Sequence, residues 1–418
     1  MTKIKTGSSE KGTKCQVCTG CGSCFADKRM DAVSSFRMDT DNKEKSICSI
    51  PERDTCLIAV DIGTTTVAMQ LRSLTDGMIK DTFTCLNPQR IFGADVLSRI
   101  EAAENESTKG AMKDAVHQAL QQGIAQFREK HLSWEIKGMA IAANTTMVHL
   151  LMGMEVSGLG HYPFLPQTLS EVRTEICGLP TVILPGASAF IGADIVAGIE
   201  ALSIGKGKEI MLFLDLGTNG EIVLGNQDRL VAAGTAAGPA FEGNTECYGT
   251  DLMSLTARLL EEDILDSTGL LAEPYFTEGI AIGGVHLTQQ YVRQLQMAKS
   301  AICTGICILC KKYGLQDFSR IDRVYLAGGM GYYLDVAAAA AIGLFPHALL
   351  NKVTAVGNAV LEGAFVYGSR AFCRQEKAAK EKAAVSVPKI EVFNLAEETG
   401  FADAYIKGME LAPCSYAF

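Results

Sequence analysis

The feature that most constrains this chain is a repeat. Cys56-Leu57-Ile58-Ala59-Val60 is an apolar run of buried-strand length, broken at Gly63-Thr64-Thr65-Thr66 and resumed as Val67-Ala68-Met69-Gln70-Leu71. Strand, glycine-led turn and strand predict a hairpin. The pattern returns over Met211–Leu224, where Asp215-Leu216-Gly217-Thr218 aligns with Asp61-Ile62-Gly63-Thr64, 154 residues away. That separation is about one domain length. Two matching hairpins at that spacing are hard to obtain by chance and predict two lobes of similar build.

A hairpin with Asp at the end of a buried strand has specific chemistry. The carboxylates of Asp61 and Asp215 are placed to hold Mg²⁺ directly or through water. Gly63 and Gly217 let the backbone turn tightly, so that amides and hydroxyls of Thr64, Thr65 and Thr66, and of Thr218, Asn219 and Gly220, can donate to phosphate oxygens. Neither copy fits the G-x-x-x-x-G-K-[ST] pattern, so a P-loop is not indicated. A third piece is the strand Val324-Tyr325-Leu326-Ala327, ended by Gly328 and Gly329, where backbone can approach a planar or sugar ligand closely. Asp194 and Glu221 are further candidates. Asp194 opens a helix, where a carboxylate also stabilises the helix dipole, and Glu221 has solvent as its plain alternative.

The order of these motifs resembles the superfamily of actin, sugar and acetate kinases and heat-shock chaperone ATPases. More particularly, residues 56–418 are similar to the ATPase domain of the reductive activators of corrinoid proteins. The similarity rests on VDIGTTTVA (60–68), FGADVLSRI (92–100), AANTTMVHLLMG (142–153), IGADIVAGI (191–199), LDLGTNGEIVLGN (214–226), AAGPAFEG (236–243), LTQQYVRQLQMAKSAI (287–302), LAGGMG (326–331) and VGNAVLEGA (356–364). It implies an α/β, two-lobed actin-like ATPase fold, with a first lobe at 56–206 and a second at 207–418. It also implies ATP and Mg²⁺ as cofactors. Asp61 and Asp215 would face the metal and the attacking water, the two glycine-led turns would wrap the phosphates, and Gly328 and Gly329 would lie against the adenosine.

Ahead of the lobes, residues 1–55 read as a small cysteine-rich metal module and linker. Cys15, Cys18, Cys21 and Cys24 recur at x2 spacing, the pattern by which bacterial iron–sulfur proteins hold a [4Fe–4S] cluster. Phe25 follows the fourth cysteine where those proteins have proline, so the fourth ligand is open among Cys24, Cys48 and Cys56. Zinc is the rival metal, and an incidental thiol group the third reading. The family resemblance implies a plant-type [2Fe–2S] ferredoxin and a linker domain before the ATPase. The plant-type C-x4-C-x2-C spacing is absent, and 55 residues leave no room for both. Cys303, Cys307 and Cys310 share a helical face beside an apolar stripe and read as core residues. His149 reads as a packed helix residue, and no G-x-S-x-G element supports serine-hydrolase chemistry.

Composition narrows the partners. Lys+Arg is 38 against 47 Asp+Glu, a net charge of −9, which argues against a broad nucleic-acid surface. No run of 18 apolar residues is present and the first 15 residues carry no apolar h-region, so membrane insertion and secretion are not expected and a cytoplasmic location is. The expected activity is an iron–sulfur ATPase that drives low-potential reduction of a cob(II)alamin protein of a methyltransferase system, fed by an external electron donor, with a homodimer as a possible assembly. The rivals are a small-molecule kinase and a nucleotide-dependent redox-sensing regulator.

Overall fold

The computed structural model describes residues 54–217, 219–241, 249–328, 334–377 and 389–414. Cys15, Cys18, Cys21, Cys24 and Cys48, and with them Thr218 and Gly329, lie outside the described residues.

Two six-stranded sheets carry the chain. The first contains β1 (Thr55–Ile62), β2 (Thr66–Ser73), β3 (Ile79–Leu86), β4 (Glu135–Ala143), β5 (Val172–Ile176) and β6 (Leu179–Ile183), in the order β3-β2-β1-β4-β6-β5. The second contains β7 (Met211–Leu216), β8 (Gly220–Asn226) and β9 (Arg229–Thr235), and, beyond a small hairpin of β10 (Ile280–Ile282) and β11 (Val285–Leu287), β12 (Arg323–Ala327), β13 (Val353–Gly357) and β14 (Ile390–Val392). Its order is β13-β12-β7-β8-β9-β14. The predicted repeat is a repeat of topology. In each half an antiparallel meander is followed by parallel strands added beside its first member, β1 with β4 and β7 with β12. Parallel strands need crossovers, and helices supply them: Glu106–Lys130 precedes β4, and Gln289–Tyr313 precedes β12.

The strands follow from the sequence. β1 is buried along nearly its whole length because both faces are covered, so an unbroken apolar run is what such a strand requires. Cys56 is one of those residues, fully buried with its thiol pushed up to about 12 by burial. It is a core residue of the first sheet.

Two helices join the halves by exchanging partners. The helix Ala193–Ala201, from the first half, sends Ile195 and Ile199 into a cluster with Phe213, Val223 and Tyr325 of the second sheet. The helix Ala359–Lys377, from the second half, packs Val360, Leu361 and Ala364 against Leu57, Ala59 and Ala140 of the first. They touch where Gly363 faces Ala197: a Cβ on Gly363 would lie 1.8 Å from the Ala197 carbonyl oxygen. A boundary at 206/207 therefore separates the sheets but cuts across this helix exchange.

The cysteines of the long helix depart in part from the core reading. Cys310 is fully buried in the second core. Cys303, equally buried, is joined to Cys414, 111 residues away, and Cys307 beside it is only half-buried. No helix among the described residues is long and apolar enough to cross a membrane.

Candidate functional site

Asp61 and Asp215 are each the penultimate residue of the first strand of their sheet. Each strand is interior, with an antiparallel neighbour on one side and a parallel one on the other. Asp61 pairs with Ala68 and Ala142, and Asp215 with Glu221 and Ala327. Both carboxylates thus stand at the carboxyl ends of parallel strands, the edge at which open α/β sheets present ligand sites.

The first turn is held from behind by three polar side chains. Gly63 N–H donates to the Thr66 carbonyl at 2.9 Å, closing the turn. Asn87 donates from Nδ2 to the Gly63 carbonyl at 2.7 Å and from its backbone N–H to the Thr65 carbonyl at 2.8 Å. Arg99, fully buried, donates to the Thr64 carbonyl at 2.6 Å and to the Gly93 carbonyl at 2.9 Å. Asn144, which caps the helix Thr145–Met152, donates to Thr64 Oγ1 at 3.2 Å. With their carbonyls tied back in this way, the backbone of 63–66 is fixed before any ligand arrives.

The second turn is tighter. Its strands close at Leu216 and Gly220, one residue less than in the first copy, and Gly217 N–H donates to the Asn219 carbonyl at 2.9 Å. The end of β12 lies against it. Gly328 has φ +93°, and a Cβ there would stand 2.2 Å from the Leu216 carbonyl oxygen and 3.0 Å from Asp215 Oδ1. Glycine at 328 is therefore required twice, by its left-handed backbone and by the close approach.

Four carboxylates act on one another here. Burial, then the charges of Asp194 and Asp61, push Asp215 up to about 7. Burial raises Asp61 to about 6 against the opposing effect of Asn358, whose Nδ2 donates to Asp61 Oδ2 at 2.9 Å. Asp194 is raised by burial and by Asp61, although its Oδ1 accepts the Ile195 N–H at 2.8 Å. Glu221 is raised by burial and by Asp194 and Asp215. Asp194 and Glu221, ambiguous in the sequence, therefore belong with Asp61 and Asp215. Among the described residues no Lys or Arg is ion-paired with any of the four. A set of oxygen donors that raise one another's pKa, with no cationic partner, suits a hard divalent cation.

Helix N-termini complete the surroundings. Asn358, which the sequence reading missed, precedes the helix Ala359–Lys377 and accepts the Leu361 N–H on its Oδ1 at 3.0 Å. Asn before an apolar helix is a capping signal, so this residue was findable as a cap but not as a carboxylate partner. Asp194 lies in the first turn of its own helix, behind Gly192. The ends of these helices favour anions, so the cluster offers metal-binding oxygens next to anion-binding amides. His149 is fully buried, its ring bonded to the Thr145 carbonyl at 2.7 Å and to the Gln167 N–H at 3.1 Å, and burial lowers its pKa. It is a neutral structural residue.

Two family models match consecutive stretches of the chain. A family model described as the RACo middle region matches residues 56–207, and one described as the C-terminal domain of RACo, the ASKHA domain, matches 209–256 and 254–416. The chain belongs to the RACo family. The family's middle region, for which the sequence reading left no room, is the half that carries the first hairpin. The corrinoid activation enzyme RamQ of Eubacterium limosum is 30% identical over 421 residues, covering 84% of this chain and 69% of that protein. A [Co(II) methylated amine-specific corrinoid protein] reductase of Methanosarcina barkeri is 23% identical over 379 residues, covering 73% of this chain and 68% of that one. Among solved structures, a reductive activator for a corrinoid, iron–sulfur protein superposes with a TM-score of 0.74 at 28% identity, over 87% of this chain and 67% of the other. The actin-like ATPase fold that the resemblance implies is thus the fold of the protein.

Proposed function

We propose that the chain binds Mg²⁺·ATP between its two sheets and uses nucleotide turnover to drive reduction of cob(II)alamin in a partner corrinoid protein. The observation that carries the nucleotide half is the convergence of Asp61, Asp194, Asp215 and Glu221, raised in pKa by burial and mutual repulsion, beside two glycine-led turns. Support for the corrinoid half is family membership and the activities named for its relatives.

In this reading Asp61 and Asp215 hold Mg²⁺, which supplies charge neutralisation for a phosphoryl group. Gly63 and Gly217 close the two turns, so that amides and hydroxyls of residues 64–66 and 218–220 would donate to phosphate oxygens, with Gly328 and Gly329 as the positions set against the adenosine. A carboxylate with a pKa near 7 accepts a proton from water at neutral pH more readily than an ordinary one. Glu221 and Asp194 are the candidates for that role, since each has a raised pKa. Asn358 keeps Asp61 oriented.

In this reading Cys15, Cys18, Cys21 and Cys24 would hold a [4Fe–4S] cluster, with zinc as the alternative metal, and the cluster would supply one-electron chemistry between an external donor and the partner. Uphill transfer of one electron over roughly 200 mV costs about 4.6 kcal/mol, at 59 mV per factor of ten. Closure of the two sheets about the crossing of Gly363 and Ala197 is the conformational step through which nucleotide state would reach the partner. Phosphate release by wild type and by Asp61→Ala and Asp215→Ala tests the site. Loss of hydrolysis in both is expected, and full activity in both would overturn it.

A further inference from the structure

Behind the second hairpin lies a group of side chains that the nucleotide reading does not use. The helix Gln289–Tyr313 presents one stripe, Gln296, Lys299, Ser300, Cys303 and Cys307, to the C-terminal segment. Gln296 Nε2 donates to the Met409 carbonyl at 2.8 Å, Ser300 Oγ to the Tyr405 carbonyl at 2.5 Å, and Lys299 Nζ to the Glu410 carbonyl. Cys303 and Cys414 are joined, and the sulfurs of Cys303, Cys307 and Cys414 all lie within 4.8 Å of one another. Three sulfurs at that spacing, two from one helix face at i and i+4 and one from a distant strand of chain, form a convergent soft donor set.

We propose that in the reduced chain Cys303, Cys307 and Cys414 bind a thiolate-preferring divalent cation of the Zn²⁺ class. A thiol reductant delivers two electrons and two protons to the Cys303–Cys414 bond. The three thiols then lose their protons as the cation binds, and a fourth position is left for water or another ligand. Two further buried polar groups lie on the same helix. Lys299, one helical turn before Cys303, is buried and donates to the Glu410 carbonyl, which holds the segment that carries Cys414 against the helix. Thr304, fully buried and next to Cys303 in sequence, has a hydroxyl with no hydrogen-bond partner among the described residues.

The opposite face of the helix packs against the second hairpin. Ile302 packs on Gly220, and Gly305 faces Ile222 and Thr235, all on β8 and β9 next to Glu221. A cation tying Cys414 to this helix fixes the element on which the second turn rests.

Cobalt(II) is the probe. The full chain with Cys15, Cys18, Cys21 and Cys24 replaced by Ser is purified anaerobically with a thiol reductant, stripped with a chelator and titrated with Co²⁺. One sulfur-bound Co²⁺ per chain is expected, counted by thiolate-to-cobalt charge-transfer absorbance and the visible bands of tetrahedral cobalt, which Co²⁺ held by the carboxylate cluster does not give. Cys307→Ser and Cys414→Ser each weaken binding by about tenfold or more, the loss typical when even a supporting residue of a metal site is removed. Cys177→Ser, a half-buried cysteine of the first half, leaves it unchanged. Absence of the cobalt spectrum in the parent, parent-like binding by both Ser variants, or a Cys303–Cys414 crosslink that persists under the reductant would each overturn the proposal.

Discussion

Replacing Asp215 by Asn should make the ligand-free protein more stable, and the gain should depend on pH. In the folded chain this carboxyl titrates near 7, against 3.8 for an ordinary Asp. Between those values the native state holds a proton that the unfolded state has lost, so stability falls as pH rises through the interval. Each tenfold difference in proton affinity between the folded and unfolded chain corresponds to about 1.4 kcal/mol, and the full difference is an upper bound because Asp194 and Asp61 titrate in the same range. A realistic release at pH 8 is about 2–4 kcal/mol, or roughly 2–5 °C in Tm at about 1 °C per kcal/mol for a chain of this length. At pH 4 the gain should be near zero, since Asn and a protonated Asp are close in size and charge. Thermal unfolding of wild type and Asp215→Asn in chelator, at pH 4, 6 and 8, gives the three values. With Mg²⁺ and a nonhydrolysable ATP analogue the order should reverse, because wild type alone gains the metal's binding energy. A variant less stable than wild type at pH 8 in chelator, or a gain independent of pH, would refute the electrostatic argument.

Three further outcomes follow from the same geometry. Gly363→Val sets a branched Cβ against the Ala197 carbonyl and should cost at least about 1–3 kcal/mol, seen as a lowered urea midpoint, with hydrolysis lost before the fold. Arg99→Met removes both donors to the Thr64 and Gly93 carbonyls, so nucleotide affinity by calorimetry should fall while the secondary structure by circular dichroism is kept. Protein made anaerobically should be brown, with about four irons per chain, and removal of residues 1–53 should bleach it and leave ATP hydrolysis; a colourless protein with one zinc would end the electron-transfer reading.

The hairpins were legible because both of their signals are local. A buried strand reads as an apolar run, and glycine marks the turn, as in Val60-Asp61-Ile62-Gly63 and Leu214-Asp215-Leu216-Gly217. β3 was not legible. It is half-buried along its whole length, so Ile79–Leu86 mixes Lys80, Asp81 and Thr82 with Phe83 and leaves no clean alternation. The carboxylate cluster was legible only in part. Asp61 and Asp215 stand in matching contexts and Glu221 is the cross-strand neighbour of Asp215 within its own hairpin, whereas Asp194 joins them through tertiary folding, as does Asn358, 297 residues from the Asp61 it contacts. The tie between Cys303 and Cys414 spans 111 residues, and nothing near Cys303 in sequence distinguishes it from Cys310, which is a plain core residue.

Anaerobic spectrophotometry of a corrinoid protein in the presence of this chain and a low-potential reductant tests the central claim most directly. Conversion of cob(II)alamin to cob(I)alamin is expected only when Mg²⁺·ATP is supplied, and is expected to be lost with Asp215→Asn. Reduction to the same extent without nucleotide, or undiminished in that variant, would contradict the claim that carboxylates between the two sheets couple ATP to the electron.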